Sequence, residues 1–180
     1  MISTDTAILK DGSAVQQRMR EYGELFSELH IVLFTKGLQV PEVIQIGQNI
    51  LVYPTRSHSR WWFVRDASGL GKQIVEKLLA RQAGMAAGSI VVSTQDPFET
   101  GLVGKYLMRR FGKHGLRFNV QIHVDFLSPH FARHSFLNRI RLKIARRVLP
   151  LANSVRVVSE RIKRSLFAEY QIPPTEISVM

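Results

Sequence analysis

The chain has 180 residues, 45% of them hydrophobic, which is enough for one domain with its own core, since domains cluster near roughly 100 to 150 residues. It has no cysteine, so disulfides and thiolate metal sites are excluded, no metal is expected, and nothing calls for an oxidising compartment. The net charge of +11 lies wholly after residue 100, where 15 Lys and Arg face 4 Asp and Glu, against 10 and 10 before it; this asymmetry points to a polyanionic partner or to a solvated basic face.

No apolar run reaches the roughly 18 residues of a membrane span. Residues 1–12 include Asp5 and Asp11 and lack a basic lead into an apolar stretch, so they do not read as a secretory signal. A cytoplasmic setting is expected.

Short apolar runs alternate with longer amphipathic stretches, the pattern of βα units in a mainly parallel sheet flanked by helices. Met1 to Thr4 reads as a first strand. Gly12 and Ser13 open a helix to about Glu28, with Ser13 as N-cap and Val15, Met19, Tyr22, Leu25 and Phe26 at helical spacing. His30 to Thr35 and Asn49 to Tyr53 read as strands, and Arg60 to Arg65 as a loop holding an aromatic cluster. Ala67 to Gln82 reads as a helix with Ile74, Leu78 and Leu79 inward. Its glycines, Gly69 and Gly71, mark a helix start and not a phosphate loop, because Asp66 and Gln73 stand where that motif needs Gly and Ser or Thr.

Ser89 to Ser93 reads as a strand buried on both faces. Pro97 begins a helix to Phe111 that Asp96 can cap. Phe118 to His123 is the next strand, Phe131 to Val148 the next helix, with Leu137, Ile140, Ile144 and Val148 as its inner seam. Ser154 to Val158 and Ser159 to Tyr170 form a last βα pair. Ile177 to Met180 reads as the start of a strand that leads into further architecture.

Ligands of open parallel sheets bind beyond the carboxyl ends of the strands, where helix N-termini and loop amides converge. The polar residues expected on that rim are Asp5, Gly12 and Ser13, Thr94 and Gln95, Asp96 and Glu99, His123 and Asp125, and Ser159 and Glu160. Gly12 lets backbone amides approach a ligand, or serves the turn alone. His123 can exchange a hydrogen bond with a hydroxyl or phosphate oxygen and Asp125 can orient it; otherwise the ring caps the strand. Asp96 and Glu99 read first as a cap and capping box. Their separation across a substrate is not fixed, so glycoside hydrolysis is not favoured.

Trp61 and Trp62 between arginines, and Arg139, Arg141 and Lys143 on the basic helix, are candidate membrane contacts. Core packing and plain solvation compete with that reading.

From Ile90 onward the chain reads VVSTQDPFETGLVGKYLMRRFG, then VQIHVDF, RRVLPLANSVRVVSERIKRSL and IPPTEISV. In this order and spacing the four fragments resemble the N-terminal, acceptor-side domain of family 4 GT-B glycosyltransferases, which are retaining enzymes. Residues 1–35 match in pattern only and residues 36–85 are not placed.

The resemblance implies a single Rossmann-like domain over 1–180, forming half of a hexosyltransferase. It acts on a glycan or lipid-linked acceptor and is peripheral to the inner face of a membrane. It places His123 beside the transferred sugar, Asp125 as its neighbour, and Gly12, Ser13 and Ser159 on the cleft, with Asp96 and Glu99 as further cleft candidates. No cofactor is implied for this chain.

The nucleotide-sugar donor would sit mostly on a second, C-terminal domain, in the same or a separate chain. That domain's paired glutamates and its phosphate-binding Arg and Lys are not among these residues. Leaving-group charge must be neutralised during transfer, so the chain alone is expected to be inactive. The reading from another class is a non-catalytic basic module that binds nucleic acid or an anionic membrane. Nucleic acid is disfavoured, because the aromatics lie apart from the basic helix.

Overall fold

The computed structural model describes residues 1–81 and 90–179; Gln82, Ser89 and Met180, the expected ends of three elements, lie outside them. The chain divides into two compact units, Met1–Ala83 and Gly84–Met180. In each unit most strands run parallel and helices pack on them. The α/β, Rossmann-like class read from the sequence is the class observed.

In the first unit the strand order is β3-β4-β2-β1, with β1 at Ile2–Ser3, β2 at Leu29–Leu33, β3 at Ile44–Gly47 and β4 at Ile50–Pro54. β1, β2 and β4 are parallel neighbours. β3, which the sequence reading did not anticipate, runs antiparallel to β4 with a register shift between Gln45 and Gly47. The core of this unit gathers Ile8, Met19, Ile31, Leu33, Ile46, Ile50 and Val52.

Helix α1 spans Ala14–Gly23 and stops short of the expected Glu28. At that end Asn49 Nδ2 donates to the carbonyls of Gly23 and Phe26 at 2.8 and 2.7 Å, and Gly23 packs closely on Ile50, where a Cβ would fall 2.5 Å from its Cδ1. Leu25 and Phe26, expected inside, are therefore 74% and 50% exposed.

Helix α2 spans Phe63–Arg81 after a 3-10 turn at Arg60–Trp62. The aromatic cluster thus enters a helix and does not form a loop, and Gly69 and Gly71 lie within that helix instead of starting it. Its buried residues are Ala67, Gly71 and Val75, spaced four apart, so the inner stripe is one residue off the expected Ile74.

The second unit has the order β5-β6-β7-β8, all parallel: β5 Val91–Thr94, β6 Arg117–Ile122, β7 Ser154–Val157 and β8 Ile177–Val179. Val92, Thr94, Phe118, Val120, Ile122, Val155 and Val157 are buried. Ser93, Asn119, Gln121, Ser154 and Arg156 alternate with them and are half-buried. β5 is therefore buried on one face only, with Val91 50% exposed, because polar neighbours on β6 and β7 continue its second face.

Helix α3, Glu99–Phe111, buries Val103, Leu107 and Phe111; each large apolar side chain taken fully from water stabilises the fold by about 1.5–3 kcal/mol. The expected single helix from Phe131 to Val148 is two, α4 at Pro129–His134 and α5 at Phe136–Val148. Ser135 breaks it in extended conformation and caps α5, its Oγ accepting from Asn138 N at 3.1 Å. α6 spans Glu160–Tyr170 and buries Ile162 and Leu166.

The seam of α5 also differs from expectation. Asn138, Ala145 and Val148 are buried, whereas Leu137 and Ile140 are 49% and 40% exposed. Small Ala145 and hydrogen-bonded Asn138 permit the close approach that the larger aliphatics would block. Asn138 Nδ2 donates to Phe131 O at 2.9 Å.

Candidate functional site

In the second unit, β5, β6 and β7 are adjacent and parallel, so the residues after them form one row along the carboxyl edge. Ile122 pairs with Val157. The same register brings His123 level with Val158, one residue before Ser159.

His123 is exposed at the end of β6, and its Nε2 lies 3.3 Å from Gln121 Oε1. Gln121 Nε2 donates to Ser93 Oγ at 3.1 Å, Ser93 Oγ donates to Asn119 Oδ1 at 3.1 Å, and Asn119 Nδ2 donates to Ser154 Oγ at 2.8 Å. The imidazole thus stands at the head of a polar ladder crossing three strands. Such a chain fixes the amide orientations and presents a defined acceptor to the ring. The sequence reading missed Gln121, Asn119 and Ser93; the signal for two of them was the polar alternation Arg117, Asn119, Gln121, His123.

Asp125 is tied to α6, with its Oδ2 2.8 Å from the guanidinium of Arg161. Arg161, absent from the candidates, thereby joins the loop after β6 to the helix after β7. Ser159 caps α6, its Oγ accepting from Ile162 N at 3.4 Å. The amide groups of this first helical turn point along the same edge.

Asp96 does not cap α3, which begins at Glu99 and not at Pro97, with Phe98 as an N-cap that makes no side-chain bond; the aspartate instead closes a turn just ahead of the helix. Its Oδ1 accepts from Phe98 N at 2.7 Å, while its own N–H donates to Thr100 Oγ1 at 3.1 Å. Thr100, and not Glu99, completes the reciprocal pair. Burial is the main cause that raises the Asp96 carboxyl above its ordinary value, with Glu99 adding to it and the bonds from Phe98 and Thr100 opposing.

Glu99 instead faces α5. Arg141 Nε lies 3.0 and 3.2 Å from its two carboxylate oxygens, and the guanidinium also sits over Phe98, 5.7 Å from the ring centre. Arg141 is therefore engaged by α3, unlike Arg139 and Lys143, which are exposed.

In the first unit, Gly12 has φ +71°, and a side chain there would meet open space. Its N–H donates to Gln16 Oε1 at 3.2 Å and to Asp11 Oδ1 at 3.1 Å. Ser13 Oγ accepts from Gln16 N at 3.1 Å and donates to Ala7 O at 2.7 Å. Both residues build the start of α1: Ser13 caps it, and Gln16 reaches back to the N–H of Gly12, one residue before the cap. Asp5 caps the 3-10 turn at Thr6–Leu9 through Ala7 N.

Trp61 is 93% exposed and Trp62 42%, with the Arg65 guanidinium 4.0 Å above the Trp62 ring. Among the described residues no group of His, Asp and Glu could hold a metal ion, and no helix is long and apolar enough to cross a membrane. No protein-family model matches the chain, and no curated protein matches it significantly.

Proposed function

We propose that this chain is the acceptor-binding half of a retaining glycosyltransferase, which transfers a sugar from a nucleotide-sugar to a glycan or lipid-linked acceptor. A second domain holds the donor. The observation that supports this reading is the exposed imidazole of His123 on the carboxyl edge of a parallel sheet, with Gln121 at one ring nitrogen.

An imidazole in that position can donate to or accept from a sugar hydroxyl, and in its protonated form can neutralise a departing phosphate oxygen. Ser159 and the first turn of α6 add oriented amides nearby on the same edge. Asp125, paired with Arg161, sets the loop that follows the histidine. The complete charge-neutralising set for the leaving diphosphate belongs to the second domain, so the isolated chain binds acceptor without turnover.

The test is a titration of the isotope-labelled chain with a panel of glycans and lipid-linked sugars, read by NMR. Shifts at His123, Asp125 and Ser159 that vanish in His123→Ala are the expected result. Silence across the panel rejects the acceptor site, and robust transfer by the isolated chain rejects the division of labour.

A further inference from the structure

We propose that the cleft between α5 and α6 binds a small carboxylate with an apolar body. This inference is independent of the sugar-transfer reading, because it uses no residue of the His123 rim.

In the second unit α5 packs on α3 and α4 but scarcely touches α6. The gap is a cleft of about 390 Å³, within the range of small-molecule sites. Leu142 and Arg146 line it from α5, and Ser165, Ala168 and Glu169 from α6, each set at the three- and four-residue spacing that shares one helix face. Ala132 of α4 and Ala168 leave room that longer side chains would take. Phe126, fully buried, forms one wall; its ring meets Phe98 edge-on at 5.5 Å and Tyr170 at 6.4 Å between centres. That wall is packed without any ligand, so the cleft is preformed.

Tyr170 gives the cleft its polar end. Its hydroxyl oxygen is buried and completes no well-directed hydrogen bond, although the Arg146 guanidinium is near enough to bias its ionisation. Burial, the largest cause, lifts the phenol above its ordinary 10.0, with Arg146 opposing and Glu169 adding. At neutral pH it therefore keeps a proton to donate. A guanidinium can only donate as well, so two donors lie together and the phenol lacks an acceptor. Buried polar groups are normally bonded, and a ligand oxygen completes this one.

The acceptor that fits is a carboxylate. Arg146 already holds one, with Glu169 Oε1 3.3 Å from its Nη2, through one of its five N–H groups. Both side chains of that pair are at least half exposed, so a ligand can reach a second edge of the guanidinium. Its carboxylate accepts from the guanidinium and the phenol together, while Phe126, Leu127 and Leu142 cover its apolar body. A phosphate ester would bring a second negative charge beside Glu169. A neutral alcohol would gain nothing from the guanidinium's charge.

The experiment is an NMR titration of the isotope-labelled full chain with 3-phenylpropanoate and with the matching alcohol, 3-phenylpropanol. Saturable shifts at Leu142, Ala168 and Tyr170 are expected with the acid, and binding at least about tenfold weaker with the alcohol. Arg146→Gln weakens binding of the acid at least about tenfold. Glu169→Gln tightens it by removing the competing carboxylate. Tyr170→Phe weakens it about three- to tenfold without lowering the melting temperature, because the hydroxyl completes no bond in the free chain.

Arg139→Gln, an equal loss of charge at another exposed residue of α5, leaves binding within about twofold. Ala168→Trp, at an exposed position, fills the cleft and abolishes the shifts. Should Tyr170→Phe or Ala168→Trp fail to fold, Arg146→Gln and Glu169→Gln decide, because they alter only side chains that are at least half exposed. Absence of a saturable shift in the millimolar range, equal affinity for acid and alcohol, or unchanged binding in Arg146→Gln overturns the proposal. So does an equal loss in Arg139→Gln, or weaker binding in Glu169→Gln.

Discussion

Asp125 and Arg161 meet at 2.8 Å between carboxylate and guanidinium, joining the loop after β6 to the first turn of α6. The arginine side chain is 73% exposed and the aspartate 18%. The pair therefore adds little to global stability, on the order of 0–1 kcal/mol, while fixing the loop that follows His123. Arg161→Ala is expected to leave the melting temperature nearly unchanged and to speed amide hydrogen exchange across residues 123–128. Exchange equal to wild type in that loop would show that the pair positions nothing.

Asp96 makes a prediction in pH. Its folded-state carboxyl is raised above the ordinary 3.8, chiefly by burial, so the native state holds the proton more tightly than the unfolded chain does. The stability from this group is fully present below the unfolded value and is lost as pH rises through the folded one. Asp96→Asn keeps an oxygen to accept from Phe98 N without a buried charge. Urea unfolding at pH 4 and pH 7 should show the variant gaining on wild type at the higher pH. A constant offset across that range would mean that ionisation of Asp96 does not matter to folding.

Two glycine-to-alanine changes should have opposite signs. In α3, a Cβ at Gly104 would fall on the ring of Phe118, which is fully buried. Overpacking of about 1–3 kcal/mol then exceeds the roughly 1 kcal/mol gained from helix propensity. At Gly69 in α2 the space is open, so Gly69→Ala keeps that gain. Chemical denaturation of both variants checks the pair, and a stabilised Gly104→Ala would refute the close packing of α3 on β6.

The parallel α/β class was legible because short strand-like segments rich in β-branched residues alternate with longer amphipathic stretches along the second unit, with His123 just past the end of one such strand. Less legible were features set by partners distant in sequence. The inner face of α5 was misjudged because Leu137, Ile140 and Ile144 repeat at helical spacing as well as the buried set does, and hydrophobicity alone ranks them above Asn138 and Ala145. The contact of Glu99 with Arg141 spans 42 positions, and no local pattern announces it. β3 was missed since Ile44 and Ile46 are its only large apolar residues and its pairing depends on β4. The break at Ser135 did have a local signal, a capping serine three residues before Asn138, which the continuous periodicity obscured.

Asn49 offers the sharpest test of how α1 ends. Its amide donates to the carbonyls of Gly23 and Phe26 at 2.8 and 2.7 Å, groups at or just past the last helical turn, where carbonyls lack the regular helical partner; the Gly23 carbonyl also accepts from Phe26 N at 3.2 Å. Asn49→Ala removes both bonds and should cost about 1–3 kcal/mol, at roughly 0.5–1.5 kcal/mol for each. Asn49→Asp has the same shape but no donor, and it sets a negative charge against carbonyls that carry the negative end of the helix dipole. It should therefore destabilise more than alanine, with the difference shrinking at pH 3, where an aspartate is largely protonated and can donate again. Thermal melts of the two variants at both pH values distinguish this from loss of packing alone, which would leave alanine the more damaging change under all conditions.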